Sequence, residues 1–400
     1  MTHTHIRTLA RAVACLLVVP HAAISADSAA PNVAPGSLIQ VTRDVGDEHC
    51  WRSSRLAFNA DSTRLCLVRP SGRDPQEVGA HPAIYDIADG TLRSCAALGF
   101  NVHWATVWDR RQTDILYGVA QTQVLALNVA TSQTRVVLDL APHASFPLDR
   151  VFHPSLNEAG DRILVQGRAR DGSWAAVFTA KLDGTDVHEI RYAEPPVQSS
   201  GHCMFTRTES YVSIGDFRGL GKHVIANYDG SGVIDAPACG GHGAFSPSGY
   251  LVYSDPYDSQ KPGYVLMAPL LDPASEAHGV LPWDFSHPTP KGPMPISKFQ
   301  NHISWNHDDP TWFILSGYTQ QNKLVEGWPQ IQVIYRVHAD GRRPPELLYE
   351  CPEPLLWSQR FSYAQGLAST SRDGKWVVFS SSKDHPTQQT GVNVYLLRIG

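Results

Sequence analysis

The chain has little of what most single-domain folds rely on. Only 18% of its residues are charged and its formal net charge is -5, so it lacks the basic footprint that nucleic acid requires. Past the N-terminal segment, no apolar run approaches the roughly 18 residues of a membrane-spanning helix. Its 7 cysteines form no CxxC pair, which argues against a structural zinc knot. No amphipathic helical period links the apolar runs. Neither "SIGD" nor "AFSPSGY" is a nucleophile elbow, so nothing supports a serine hydrolase.

What is present is turn chemistry and short strands. The chain has 31 Gly, 29 Pro and 42% apolar residues, the balance of a globular protein with many turns. The first residues carry Arg7 and Arg11, an apolar core from Ala12 to Val19, and "ISA" before Asp27. That order matches a secretory signal over residues 1–26, with a leader over 27–36 and one domain over 37–400. The expected location is secreted or periplasmic. Cleavage there leaves Cys50, Cys66, Cys95, Cys203, Cys239 and Cys351, and export permits disulfides.

The domain is repetitive. Seven segments align: 55–69, 105–120, 153–168, 202–216, 242–255, 302–317 and 367–382. "HGAFSPSGYLVYSD" and "HISWNHDDPTWFILSG" show the pattern: a short strand, a polar turn, then a β-branched or aromatic strand. A second hairpin follows in six of the units, and four of those turns are Asp-Gly, a strong hairpin signal. Four strands per unit without intervening helices predict an all-β, seven-bladed β-propeller of four-stranded antiparallel blades. The last unit, ending "VNVYLLRIG", is one strand short, and "SLIQVTRDVG" (37–46) can supply it. A ring closed by that N-terminal strand leaves no open edge and draws Cys50 toward Cys351.

One aligned column stands out. Three residues before the aligned Phe58, Trp108, Leu156, Phe205, Phe245, Trp305 and Thr370 stand Arg55, Ala105, His153, His202, His242, His302 and Leu367. Four histidines in seven equivalent places exceed what 18 His in the whole chain would place there. A structural role, each ring tying its strand to the next blade, is one reading; a polar site at the channel mouth is the other. Strand polarity brings further groups to the same mouth: His81, His103, Arg168, Arg218, Gln300, Arg360, Tyr363 and Gln365. Asp216 and Asp255 reach it on separate blades, so the carboxylate couple of glycoside hydrolysis is missing.

A mouth of His, Arg, Tyr and Gln suits an anionic sugar. β-Elimination on a uronate residue needs a cation to neutralise the carboxylate, a base near neutral pKa, and an acid for the departing oxygen. His81, His103, His153 and Arg168 are candidates for these parts. Arg55, Arg218, Gln300, Arg360, Tyr363 and Gln365 line the substrate site. His202, His242 and His302 are candidate ligands for a divalent metal (zinc, calcium or manganese).

The seven-unit pattern and these mouth residues resemble the seven-bladed propeller polysaccharide lyases. In the ulvan and rhamnose–glucuronate types, two histidines precede a tyrosine and then an arginine. His81, His103 and Arg168 match, while His153 stands at the tyrosine's place and Tyr363 is a substitute from another blade; the resemblance implies that Arg168 binds the carboxylate and that His81 and His103 act as base and acid, with His153 assisting. Oligogalacturonate lyase is similar through Arg218, His242, His302 and Gln365, and implies manganese held by His and Gln. The last-blade histidines of that manganese set are missing from "YAQGLASTS". The resemblances imply an exported lyase on an acidic polysaccharide or oligosaccharide, monomeric, without nucleic acid or a membrane span. The alternative is a non-catalytic TolB-like propeller serving as a periplasmic binding platform, suggested by the turns "AFSPSG" and "STSRDGKWVVFSSS". A calcium-dependent hydrolase or lactonase propeller would want more acids at the mouth.

Overall fold

The computed structural model describes residues 34–42, 57–69, 81–95, 106–171, 175–191, 198–199, 203–208, 211–214, 217–218, 223–236, 243–254, 263–272, 276–319, 331–351, 367–381, 383 and 393–400. These residues build seven antiparallel blades, each counted from the channel outward. In blade 1 the inner strand is the single bridge of Phe58 to Leu65, followed by Arg64–Arg69, His81–Asp86 and Leu92–Ser94. Blade 2 comprises Val107–Trp108, Ile115–Ala120, Gln123–Asn128 and Gln133–Asp139. Blade 3 comprises Leu148–Leu156, Arg162–Ala169, Ala175–Lys181 and His188–Arg191. Blade 4 uses Met204–Phe205, Tyr211–Ile214, His223–Asn227 and Ile234–Ala236.

Blade 5 uses Ala244–Phe245, Tyr250–Ser254, Val265–Pro269 and His278–Leu281. Blade 6 uses Gln300–Ser304, Trp312–Tyr318, Gln332–His338 and Glu346–Cys351. Blade 7 contains Ala368–Thr370, Trp376–Ser381 and Asn393–Arg398, and its outermost strand is Leu38–Gln40. The expected closure is therefore present: Leu38, Ile39 and Gln40 pair with Leu397, Leu396 and Tyr395. Thr42 fastens the end of that strand. Its hydroxyl donates to Asn393 Oδ1 at 3.2 Å and accepts the Val394 N–H at 2.9 Å.

Burial explains the strand sequences. Inner and second strands are covered on both faces by neighbouring blades, so "WFILSGY" and "WVVFSS" are buried throughout and do not alternate. Outer strands such as "QTRVVLD" are mostly exposed. Apolar clusters bridge adjacent blades: Leu164 and Val177 of blade 3 pack with Phe205 and Val212 of blade 4. Trp108, fully buried, donates its indole N–H to the Ala57 carbonyl across the blade 1–2 interface at 3.0 Å. All four Asp-Gly turns place the glycine at positive φ (Gly90, Gly184, Gly230, Gly341), as that turn chemistry demands. Among the described residues the helical structure is two short 3-10 turns, Ala141–His143 and Ile296–Lys298.

Candidate functional site

Each inner strand runs from one channel opening, the mouth, toward the tight turn at the other. Pairing therefore puts the end of the second strand and the start of the third at the mouth as well: Arg69 faces His81 and Gln300 faces Tyr318. His81 begins the third strand of blade 1 and His223 that of blade 4. Arg218 pairs with Gln198 in a separate two-stranded sheet. Arg55, His103, His202, His242, Arg360, Tyr363 and Gln365 lie outside the described residues, as does Cys50.

Two histidines of the aligned column are described, and both belong to the channel wall. His153 is 6% exposed and has φ of 58°. It sits in a bulge of the blade 3 inner strand, where His153 and Pro154 oppose the single residue Val165. A non-glycine residue in that conformation is strained, and such strain is found preferentially at functional positions. Its ring meets Phe152 edge-on with centroids 5.1 Å apart. His302 is equally buried and stacks on Tyr318, 5.9 Å away and 10° from parallel, with Nε2 3.5 Å from the phenol oxygen. Burial raises the Tyr318 hydroxyl above its usual pKa, so it keeps its proton. Gln300 is half-buried beside them at the start of the same strand.

Above His153 the mouth becomes cationic. Arg168 pairs directly with Arg150, and both side chains are exposed. Directly opposed residues of an antiparallel pair project to the same face, and like charges there repel. Neither guanidinium forms an ion pair among the described residues, whereas neighbouring Arg170 is bound to Asp149 at 3.0 Å. His153 lies three residues beyond Arg150, roughly 10 Å deeper along the strand. Arg150 was not anticipated from sequence, although "LDRVFHPSL" places it three residues before the histidine on the same strand.

The opposite end of the channel carries a second constellation that the column reading passed over. Two residues after the aligned position stand Ala60, Arg110, Glu158, Arg207, Pro247, His307 and Arg372. In the structure these turns converge. Arg207 contacts Glu158 at 3.2 and 3.3 Å and Asp308 at 2.6 Å, and donates to the Trp305 and His307 carbonyls. Arg372 reaches Glu158 at 3.1 Å and Asp308 at 2.8 Å. Arg110 lies 3.4 Å from Glu158. Burial alone would raise the Glu158 carboxyl, but Arg110, Arg207 and Arg372 overcome this and hold it below the usual range. Burial brings Arg110 down to about 10 despite Glu158, and Arg207 and Arg372 add to that fall. Five blades are thereby tied across the channel floor.

Among the described residues, no three His, Cys, Asp or Glu side chains converge as a metal site. Of the proposed ligands only His302 is described, and its ring is stacked on Tyr318.

No family model matches the sequence, and no curated protein is similar to it. Solved structures do match. An oligogalacturonate lyase in complex with manganese aligns at 13% identity and TM-score 0.64, covering 91% of this chain and 93% of the other. Oligogalacturonate lyase from Vibrio parahaemolyticus aligns at 10% identity and TM-score 0.57, covering 92% and 99%. A chain of the mitotic checkpoint complex aligns at 11% identity and TM-score 0.52, covering 97% and 98%. What this chain shares with all three is the fold, an all-β ring of seven blades.

Proposed function

We propose that the protein is a polysaccharide lyase that cleaves a uronate-containing glycan by β-elimination, with oligogalacturonate-type chains as the first candidates. The observation that carries this reading is the Arg150–Arg168 pair: two exposed, directly opposed arginines at the channel mouth without carboxylate partners among the described residues. Such an arrangement costs stability unless an anion bridges it. A uronate carboxylate, planar and bidentate, matches that need, and likeness to two oligogalacturonate lyases agrees with it.

In this reaction the carboxylate is bound by Arg168 and Arg150, which stabilise charge as the proton on the adjacent carbon is removed. His81 and His103 are the proposed base and acid, and His153 supports the site from below. The carbon–oxygen bond to the departing sugar breaks, its electron pair and a proton go to the leaving oxygen, and a double bond forms beside the carboxylate. A metal at the mouth would require His202 and His242 beside His302. His202 and His242 lie outside the described residues, and the steps above are assigned to protein groups. The signal-like order of residues 1–26 supports an exported location for this activity.

The test is an ultraviolet assay for the conjugated double bond on pectate oligomers, ulvan, gum arabic and other uronate glycans, with and without chelator. Growing absorbance on at least one of them is expected. Arg168→Gln and His103→Ala should abolish it without loss of fold. Flat traces while new reducing ends accumulate would mean hydrolysis and overturn the proposal.

A further inference from the structure

Just above the ion-paired floor the channel holds a cavity of about 40 Å³. Its polar wall consists of Arg110, Arg207, Ser155 and Asn306; the remaining lining side chains are apolar. Glu158 and Asp308 do not contribute to that wall. Three guanidinium groups share these two carboxylates, an excess of one positive charge, and the two that line the cavity, Arg110 and Arg207, are largely buried. The imbalance is localised. Arg110 Nε is buried and has no hydrogen-bond acceptor among the described residues, and Nη1 has only the long 3.4 Å contact to Glu158, although burying such donors poorly satisfied is costly. The Ser155 hydroxyl accepts the Phe205 N–H at 3.2 Å, which leaves its own proton to donate.

We propose that this cavity binds a small monovalent anion, of the size of chloride or formate, between Arg110 and Arg207. The anion would supply the missing negative charge, accept from Arg110 and Ser155, and complete the network joining blades 2, 3, 4, 6 and 7. The space accommodates a few waters or one small ion, not a sugar ring. The site is thus separate from the uronate site at the mouth and independent of the lyase reading.

The experiment measures melting temperature of the mature protein against formate or chloride, with ionic strength held constant by gluconate. A saturable rise of a few degrees is expected, and Arg110→Met should abolish it. Bromide-soaked crystals should show an anomalous peak between Arg110 and Arg207. Monomeric galacturonate can raise the melting temperature only through the mouth, so any such rise should persist in Arg110→Met; a galacturonate-dependent rise lost in Arg110→Met would overturn the assignment to small ions. An equal formate or chloride rise in Arg110→Met, a rise that ignores anion identity, or an absent bromide peak would each overturn the site. Should Arg110→Met not fold, Ser155→Ala retains the charges and should weaken the formate midpoint several-fold; an unchanged midpoint would count against the proposal.

Discussion

At the scale of single residues, the molecule places charge where it is least comfortable. Arg150 and Arg168 face each other with no carboxylate partner among the described residues, a configuration that costs stability and fits the proposed uronate site. Replacing either by Gln should therefore raise the melting temperature while abolishing turnover and uronate binding; calorimetry beside the elimination assay reads both. A variant that lost stability would instead show that the pair is structural. Gly160 makes a different demand. Its φ is +68°, and a Cβ there would come within 2.7 Å of Arg110 Cβ. Gly160→Ala should cost about 1–3 kcal/mol, measured by denaturant unfolding, because strain and the clash with Arg110 add.

At the scale of strands and turns, the closing strand is the element with most at stake. Thr42 is fully buried and bonded to both Asn393 and Val394. Thr42→Val keeps the shape but orphans two groups, and should lower stability by about 1–3 kcal/mol. The blades and this closure were legible in the sequence because every unit repeats one strand–turn–strand pattern, and the Asp-Gly turns mark its hairpins independently. The channel floor was not. Arg110, Glu158, Arg207 and Arg372 each sit in a polar turn, where a charged residue taken singly reads as a solvated tip. Only their shared place, two residues past the aligned position, reveals that the ring turns them all inward. The histidine column was legible as a column, yet at His153 and His302 the packing of Phe152 and Tyr318 makes the ring part of the wall. Arg150 went unnoticed because the extra length of the blade 3 inner strand carries it beyond the aligned repeat.

At the scale of the whole molecule, the floor network governs the response to acid. His307 is fully buried among Trp305, Trp312 and the floor arginines, with no hydrogen-bond partner for either ring nitrogen among the described residues. Burial, aided by the Arg207 charge, lowers its pKa to about 4. Between an unfolded value near 6.5 and that folded value the unfolded chain binds the extra proton, so stability falls as pH drops through this window, by up to about 3 kcal/mol. Glu158 and Asp308 act in the same direction at lower pH. Burial opposes their ionisation, but the arginines hold both below the ordinary carboxylate range, and their contribution is lost as they protonate. Melting curves from pH 7 to pH 4 should show a steady decline, and His307→Leu should flatten the upper part of it. An unchanged slope in that variant would remove His307 as the cause.

The strand that completes blade 7 comes from the beginning of the chain, and its partner from the end: Thr42 and Val394 are hydrogen-bonded across a sequence separation of 352 residues. During synthesis, the first segment of the domain to leave the ribosome must wait unpaired until the last has been made. Cooperative locking of the ring is accordingly a terminal, slow event. A chain cut short by even its final strand would strand both ends at once, leaving six finished blades and two adhesive edges that invite a neighbour's.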